Sequence, residues 1–202
     1  MIRLYGVPMS RASRCLWLLE ELGVPYENVP TSFAGDAQKP EYLKLNPNGK
    51  IPTLVDDDGT VVWESLAINL YLARKHDRGL WPKTQAGEAH ALQWSFWAMT
   101  EVEPCAVPII MNRAFLPEGQ RDPKAADAAE QALQKPLRVL DGALAGKDWL
   151  LEDRFTVADL NVHSVLAVAT TFGRCDVSSH RHVSGWLGRC GERPALRRVF
   201  PR

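Results

Sequence analysis

Two short stretches of this chain of 202 residues carry side chains suited to chemistry. Glu64-Ser65 opens an apolar-periodic segment, so the Ser65 hydroxyl and the free backbone N–H groups of the first turn lie at the positive end of a helix dipole. Such an end takes a carboxylate and the neighbouring Glu64 takes an ammonium, a combination suited to an amino-acid head group; an N-cap serine with an acidic neighbour is the plainer reading. Ser10 stands between the first strand and the first helix, where a hydroxyl either caps the helix or donates to an anion at its N-terminus. Tyr5 and Ser13 offer competing hydroxyls nearby. His180 and His182 lie near Cys175 and Cys190, but an HxH without matched cysteine spacing is far from zinc-ligand patterns, and no metal is expected. His163, in an apolar segment, reads as a core histidine.

The elements that must position these groups change period along the chain. Ile2 to Tyr5 reads as a buried strand, and Ser10 to Leu22 has one apolar helical face that Gly23 and Pro25 end. Tyr26 to Val29 is a second strand, parallel to the first through a right-handed crossover. Thr31 to Lys39 reads as loop. Two apolar runs, Ile51 to Val55 and Thr60 to Trp63, flank Asp57-Asp58-Gly59 as a β-hairpin, and a helix runs from Ser65 to near His76. Beyond Lys83 the strand signals fade. Gln85 to Asn112 is helical in pattern, with Pro104 and Pro108 expected to break or kink it. Lys124 to Ala145 carries a Leu133, Leu137, Leu140, Leu144 stripe, and Thr156 with Asp159 forms an aspartate version of the capping box. The expectation is an α/β domain of βαβ-ββα order over 1–76 and an all-helical domain over 84–202.

Composition excludes several classes. The 24 basic and 24 acidic residues balance, whereas nucleic-acid binders carry a basic excess. The start of the chain lacks the apolar core of a secretory signal, and Asp159, Asn161 and His163 interrupt the most apolar later stretch, so no membrane span is expected. Four cysteines without CxxC spacing suit reduced thiols in a cytoplasm.

The βαβ-ββα order is thioredoxin-like, and four motifs follow it in register: PMSRASR, NPNGKIP, ESLAINLYL and FTVADL. Together they resemble the cytosolic glutathione S-transferases over nearly the whole chain, least well from Met99 to Asp122, and the serine-type theta-like and phi-like members in particular. The resemblance implies a glutathione site in which Glu64 and Ser65 hold the γ-glutamyl end. It makes Pro52 a cis proline whose neighbour Ile51 pairs through its backbone with the cysteinyl part. Lys50, with Gln38 or Lys39, meets the glycine carboxylate. Ser10 matches the serine that donates to the thiolate, Tyr5 the tyrosine of other classes, and Ser13 serves if the loop register differs. Met9, Trp97, Ile109 and Phe115 are candidates to line an electrophile pocket.

The implied reaction attacks small hydrophobic electrophiles with the glutathione thiolate, glutathione being a co-substrate and no cofactor being needed, in a cytoplasmic homodimer. A thiol of pKa about 8.5 is roughly 3% ionised at pH 7, and lowering it by about two units raises that to roughly three quarters. Lost nucleophilicity shrinks the gain to about three-fold in rate, so most acceleration must come from holding the electrophile beside the sulfur. A glutathione-dependent dehalogenase, isomerase or peroxidase would keep the same Ser10 and Glu64-Ser65. A non-enzymatic interaction module would commonly lose them.

Overall fold

The computed structural model describes residues 1–200, which form two compact units: Met1–Trp81 with the chain's end from Glu192, and Pro82–Gly191. In the first unit β1 (Ile2–Tyr5), α1 (Ala12–Leu22), β2 (Tyr26–Val29), α2 (Pro40–Leu43), β3 (Thr53–Val55), β4 (Val61–Trp63) and α3 (Ser65–His76) follow the expected βαβ-ββα order. The sheet runs β2-β1-β3-β4, with β1 parallel to β2 and antiparallel to β3, and β3 antiparallel to β4. This is the mixed sheet of a thioredoxin-like fold. Ile2, Leu4 and Leu54 from the strands are buried, as are Leu18, Leu19 and Leu22 of α1 and Ile68 and Leu72 of α3. Gly6, just beyond β1, has no substitute: a Cβ there would lie 2.5 Å from that of Ala12.

The segment expected as loop between Thr31 and Lys39 contains a 3₁₀ turn at Asp36–Gln38 and leads directly into α2. Asp36 organises it by accepting from the Ser32 N–H at 3.0 Å and the Ser32 hydroxyl at 2.9 Å. So short an element has too few residues to display a helical period.

In the second unit α4 (Gln85–Trp97), α5 (Glu103–Ile110), α6 (Pro123–Ala143), α7 (Val157–Thr171) and α8 (Arg181–Gly191) surround Leu133, Leu137 and Leu140 of α6 and Leu160, Val162, Val165 and Leu166 of α7, all buried. Of the expected break or kink at the prolines, a break is absent. Pro104 falls in the first turn of α5, and π-helical turns at Ala98–Val102 and Met111–Phe115 flank that helix, so the chain changes hydrogen-bond register instead of stopping. The capping box is present: Asp159 accepts from the Thr156 N–H at 2.9 Å and the Thr156 hydroxyl at 3.0 Å. It also accepts from the Leu150 N–H and the Trp186 indole, at 2.9 and 3.0 Å.

The last helix, α9 (Pro194–Val199), belongs with the first unit, although its position in the sequence falls in the 84–202 half. It packs on α1, where Arg193 grips Glu21 with two bonds of 2.6 and 2.7 Å and Arg198 donates to Glu20 at 2.5 Å. Pairing of chain ends this far apart leaves no local pattern. Among the described residues no helix is long and apolar enough to cross a membrane.

Candidate functional site

Strand register gathers the predicted residues at one end of the first unit's sheet. Val29, Tyr5, Thr53 and Trp63 form a row across β2, β1, β3 and β4. Ser10 follows Tyr5, Lys39 follows Val29, Ile51-Pro52 precedes Thr53, and Glu64 follows Trp63. All four segments therefore leave the sheet at the same end, the usual place for a ligand crevice in open α/β sheets.

Ser10 closes a tight turn into α1. Its N–H bonds the Val7 carbonyl at 3.1 Å, its hydroxyl donates to the same carbonyl at 2.7 Å, and its oxygen accepts from the Ala12 N–H at 3.1 Å. The hydroxyl is half-buried beside a helix N-terminus with its proton on a backbone carbonyl, a bond that an arriving anion can replace. Ser13 differs, since its hydroxyl donates to the Ser10 carbonyl at 2.8 Å and so braces the turn. Tyr5 shares the face of Arg3, opposite buried Ile2 and Leu4. Its ring meets Tyr42 edge-on at 6.0 Å and lines a cavity of about 290 Å³ with Val29, Thr31 and Lys39.

The Ile51–Pro52 peptide is cis. The loop before it is fixed by Asn46 from within the motif and by Tyr42 and Gln38 from before it. The Asn46 amide donates to the Lys50 carbonyl at 2.8 Å and to the Thr53 hydroxyl at 3.2 Å, and the Tyr42 hydroxyl donates to the same carbonyl at 2.6 Å. Gln38 donates to the Gly49 carbonyl at 2.8 Å, where Gly49 has φ +60°. The clamp leaves the Ile51 N–H and C=O unpaired among the described residues, and the Lys50 ammonium exposed without a partner. Lys39 is already paired with Asp36 at 2.8 Å; this partner, with the Ser32 bonds, holds the Asp36 carboxyl well below the usual carboxylate range.

Glu64 caps α3 with φ +72° and ψ 114°, a strained backbone for a side chain with a Cβ, and its carboxylate is exposed. Strain of this sort costs about 1 to 3 kcal/mol and gathers at ligand sites. Ser65 is buried, and its oxygen accepts from Arg14 of α1 at 3.4 Å. Arg14 was not foreseen. Only 4% exposed, it puts a positive charge at the start of α3, and its place inside an apolar helix face was the signal available in the sequence.

Of the candidate electrophile contacts, Met9 belongs to the first unit and is exposed, while the others belong to the second. Trp97 stacks edge-on against Trp94 at 4.9 Å, and Phe115 lies against Phe172 at 5.7 Å with its ring half in solvent. Ile109 is fully buried, close enough to Gly173 that a Cβ there would lie 2.6 Å from its methyl group, so it is packing and not lining. His180 pairs with Gln134 at 3.0 Å, and burial pushes the His163 imidazole down to about 4. Among the described residues one carboxylate cluster, Asp56, Asp57 and Asp58, converges on a point, and the Lys75 ammonium already donates to Asp56 and Asp57 at 2.8 and 2.7 Å and stands 3.6 Å from Asp58.

Comparison with known proteins bears on the same segments. The family model for the glutathione S-transferase N-terminal domain matches residues 1–74, and that for the C-terminal domain matches 99–194. A glutathione S-transferase of Escherichia coli K12, GstB, is 31% identical with 98% of this chain and 97% of its own covered. Glutathione S-transferase 3 of Zea mays is 34% identical over 98% of this chain and 92% of its own. Among solved structures, the theta class enzyme of Xanthomonas axonopodis pv. citri with glutathione bound superposes with a TM-score of 0.91 at 30% identity, covering 100% of this chain and 97% of its own. Domain matches in the same order, full-length identity of this level and the shared fold agree: the chain belongs to the cytosolic glutathione S-transferase family.

Proposed function

We propose that this transferase binds glutathione at the sheet end described above and transfers its thiolate to small hydrophobic electrophiles. The observation that carries the reading is the matched polarity of the four segments. Glutathione presents an ammonium and a carboxylate at one end, an extended peptide in the middle and a second carboxylate at the other. Glu64 and the Ser65 hydroxyl with the α3 N-terminus answer the first pair, the unpaired Ile51 N–H and C=O answer the peptide, and the free Lys50 ammonium answers the last. Lys39 can join only by leaving Asp36. The thiol then lies toward Ser10, whose hydroxyl exchanges the Val7 carbonyl for the thiolate while the α1 N-terminus adds its dipole.

Serine is too weak a base to take the thiol proton, so Ser10 stabilises the anion once solvent has accepted it. Met9, exposed one residue before Ser10, is the apolar group that the first unit offers to the electrophile. Four free thiols accord with a reducing, cytoplasmic setting. We also read the chain as a two-fold homodimer: Leu92 and Phe96 stand exposed one turn apart on α4, and Val61 and Trp63 face outward on β4, an edge strand.

The direct test is steady-state conjugation of glutathione to a chloronitrobenzene by the native enzyme and Ser10→Ala. A native rate above background with a ten-fold or greater fall in the variant's kcat/KM, about 1.4 kcal/mol of transition-state stabilisation, supports the assignment. An equal rate in the two overturns the role of Ser10, and absence of glutathione binding overturns the site.

A further inference from the structure

On the second unit a cavity of about 310 Å³, lined by Gly146, Lys147, Asp148, Arg181, His182, Gly185 and Arg189, serves none of the chemistry above. On α8, Arg181, Gly185 and Arg189 are four residues apart and share one helix face. Gly185 has no side chain at the centre of that face, and the Arg189 guanidinium lies over it: a Cβ at 185 would come 3.4 Å from Nη1. Lys147 and Asp148 come from the turn after α6.

The charges do not cancel. Three permanent cations, Lys147, Arg181 and Arg189, line it against the Asp148 carboxylate, with the Asp141 carboxylate beside it on the His182 N–H, so a net positive charge remains. The Asp148 carboxylate is 77% exposed and stands 3.7 Å from the Arg189 Nε, beyond hydrogen-bond reach. Arg189 is instead oriented by the Asp148 backbone carbonyl, to which Nε and Nη2 donate at 3.3 and 2.9 Å, and by the Trp149 ring 5.8 Å from its guanidinium. Its Nη1 stays free to donate. Arg181 gives its Nε to His182 Nε2 at 3.3 Å, and its terminal nitrogens and the Lys147 ammonium have no partner among the described residues. The helix end contributes nothing, because Asp141 already accepts from the His182 and Val183 N–H groups at 2.9 and 3.1 Å.

We infer that this cavity binds a small phosphate monoester. Two guanidinium groups and an ammonium lining one cavity match a compact dianion with three oxygens, which Arg can meet two bonds at a time. The volume is that of a small-molecule site and leaves room for a short organic group beside the phosphate.

The test is calorimetric titration of the full-length protein with glycerol 3-phosphate at physiological ionic strength, where charges more than about 8 Å apart are screened. One saturable site is expected, weakened ten-fold or more by Arg189→Gln and three-fold or more by Lys147→Gln, whose exposed side chain holds nothing in place. Lys124→Gln removes the same charge at the far end of α6, about 30 Å away, and is expected to leave affinity within two-fold. Conjugation of glutathione stays unchanged in all three variants. Lack of saturation by about 10 mM, or equal weakening by Lys124→Gln, would reduce the cavity to a solvated basic face and overturn the proposal. So would binding of succinate without binding of the phosphate ester.

Discussion

Three hydroxyls compete for the thiol, and their bonds separate them. The Ser13 hydroxyl braces the carbonyl of Ser10, and Tyr5 lies within β1 with its ring against Tyr42, whereas the Ser10 hydroxyl sits at the α1 N-terminus with its proton on a carbonyl it can release. Tyr5→Phe is therefore expected to keep kcat/KM within two-fold, measured in the same conjugation assay. Among groups away from the site, His163 is the clearest titration probe. Its folded pKa of about 4 lies below the unfolded 6.5, so the unfolded chain binds the extra proton. Stability is full above the unfolded value and falls as pH drops toward about 4, by about 3 kcal/mol at most. Urea midpoints measured from pH 7 to pH 4.5 should fall, and His163→Gln should flatten part of the slope; a slope unchanged by the substitution would assign the loss to other groups.

At the scale of elements, the parts legible in the sequence were those with a local cause. The β3–β4 hairpin was readable from Asp-Gly between apolar runs, and the start of α7 from Thr156 and Asp159. What stayed hidden depends on partners distant in sequence. Arg14 finds Ser65 on α3, Asn46 and Tyr42 converge on one carbonyl, and the register shifts that admit Pro104 and Pro108 depend on packing. Asp159 joins both kinds, a local cap that also receives Leu150 and Trp186. Asp159→Asn turns one acceptor into a donor among four donors and should cost about 3 kcal/mol, lowering Tm by about 6 to 12 °C in calorimetry. A loss under about 1 kcal/mol would mean the cap alone mattered.

At the scale of the whole molecule, the end of the chain returns to the first unit, where α9 is tied to α1 through Arg193 and Arg198. Arg193→Ala frees the largely buried Glu21 carboxylate, and thermal unfolding should show a loss of about 2 kcal/mol. Light scattering at micromolar concentration should report a dimer, with Phe96→Glu giving a monomer; a monomeric native protein would refute the assembly. The central claim is that the first unit holds glutathione with its sulfur as a thiolate on Ser10. The most direct measurement is the ultraviolet thiolate absorbance of the enzyme–glutathione complex titrated with pH, for the native protein and Ser10→Ala. The account predicts a native midpoint at least one unit below the free thiol's value of about 8.5, moving back toward it in the variant. A bound thiol that titrates like free glutathione in the native protein, or equally in both proteins, would contradict it.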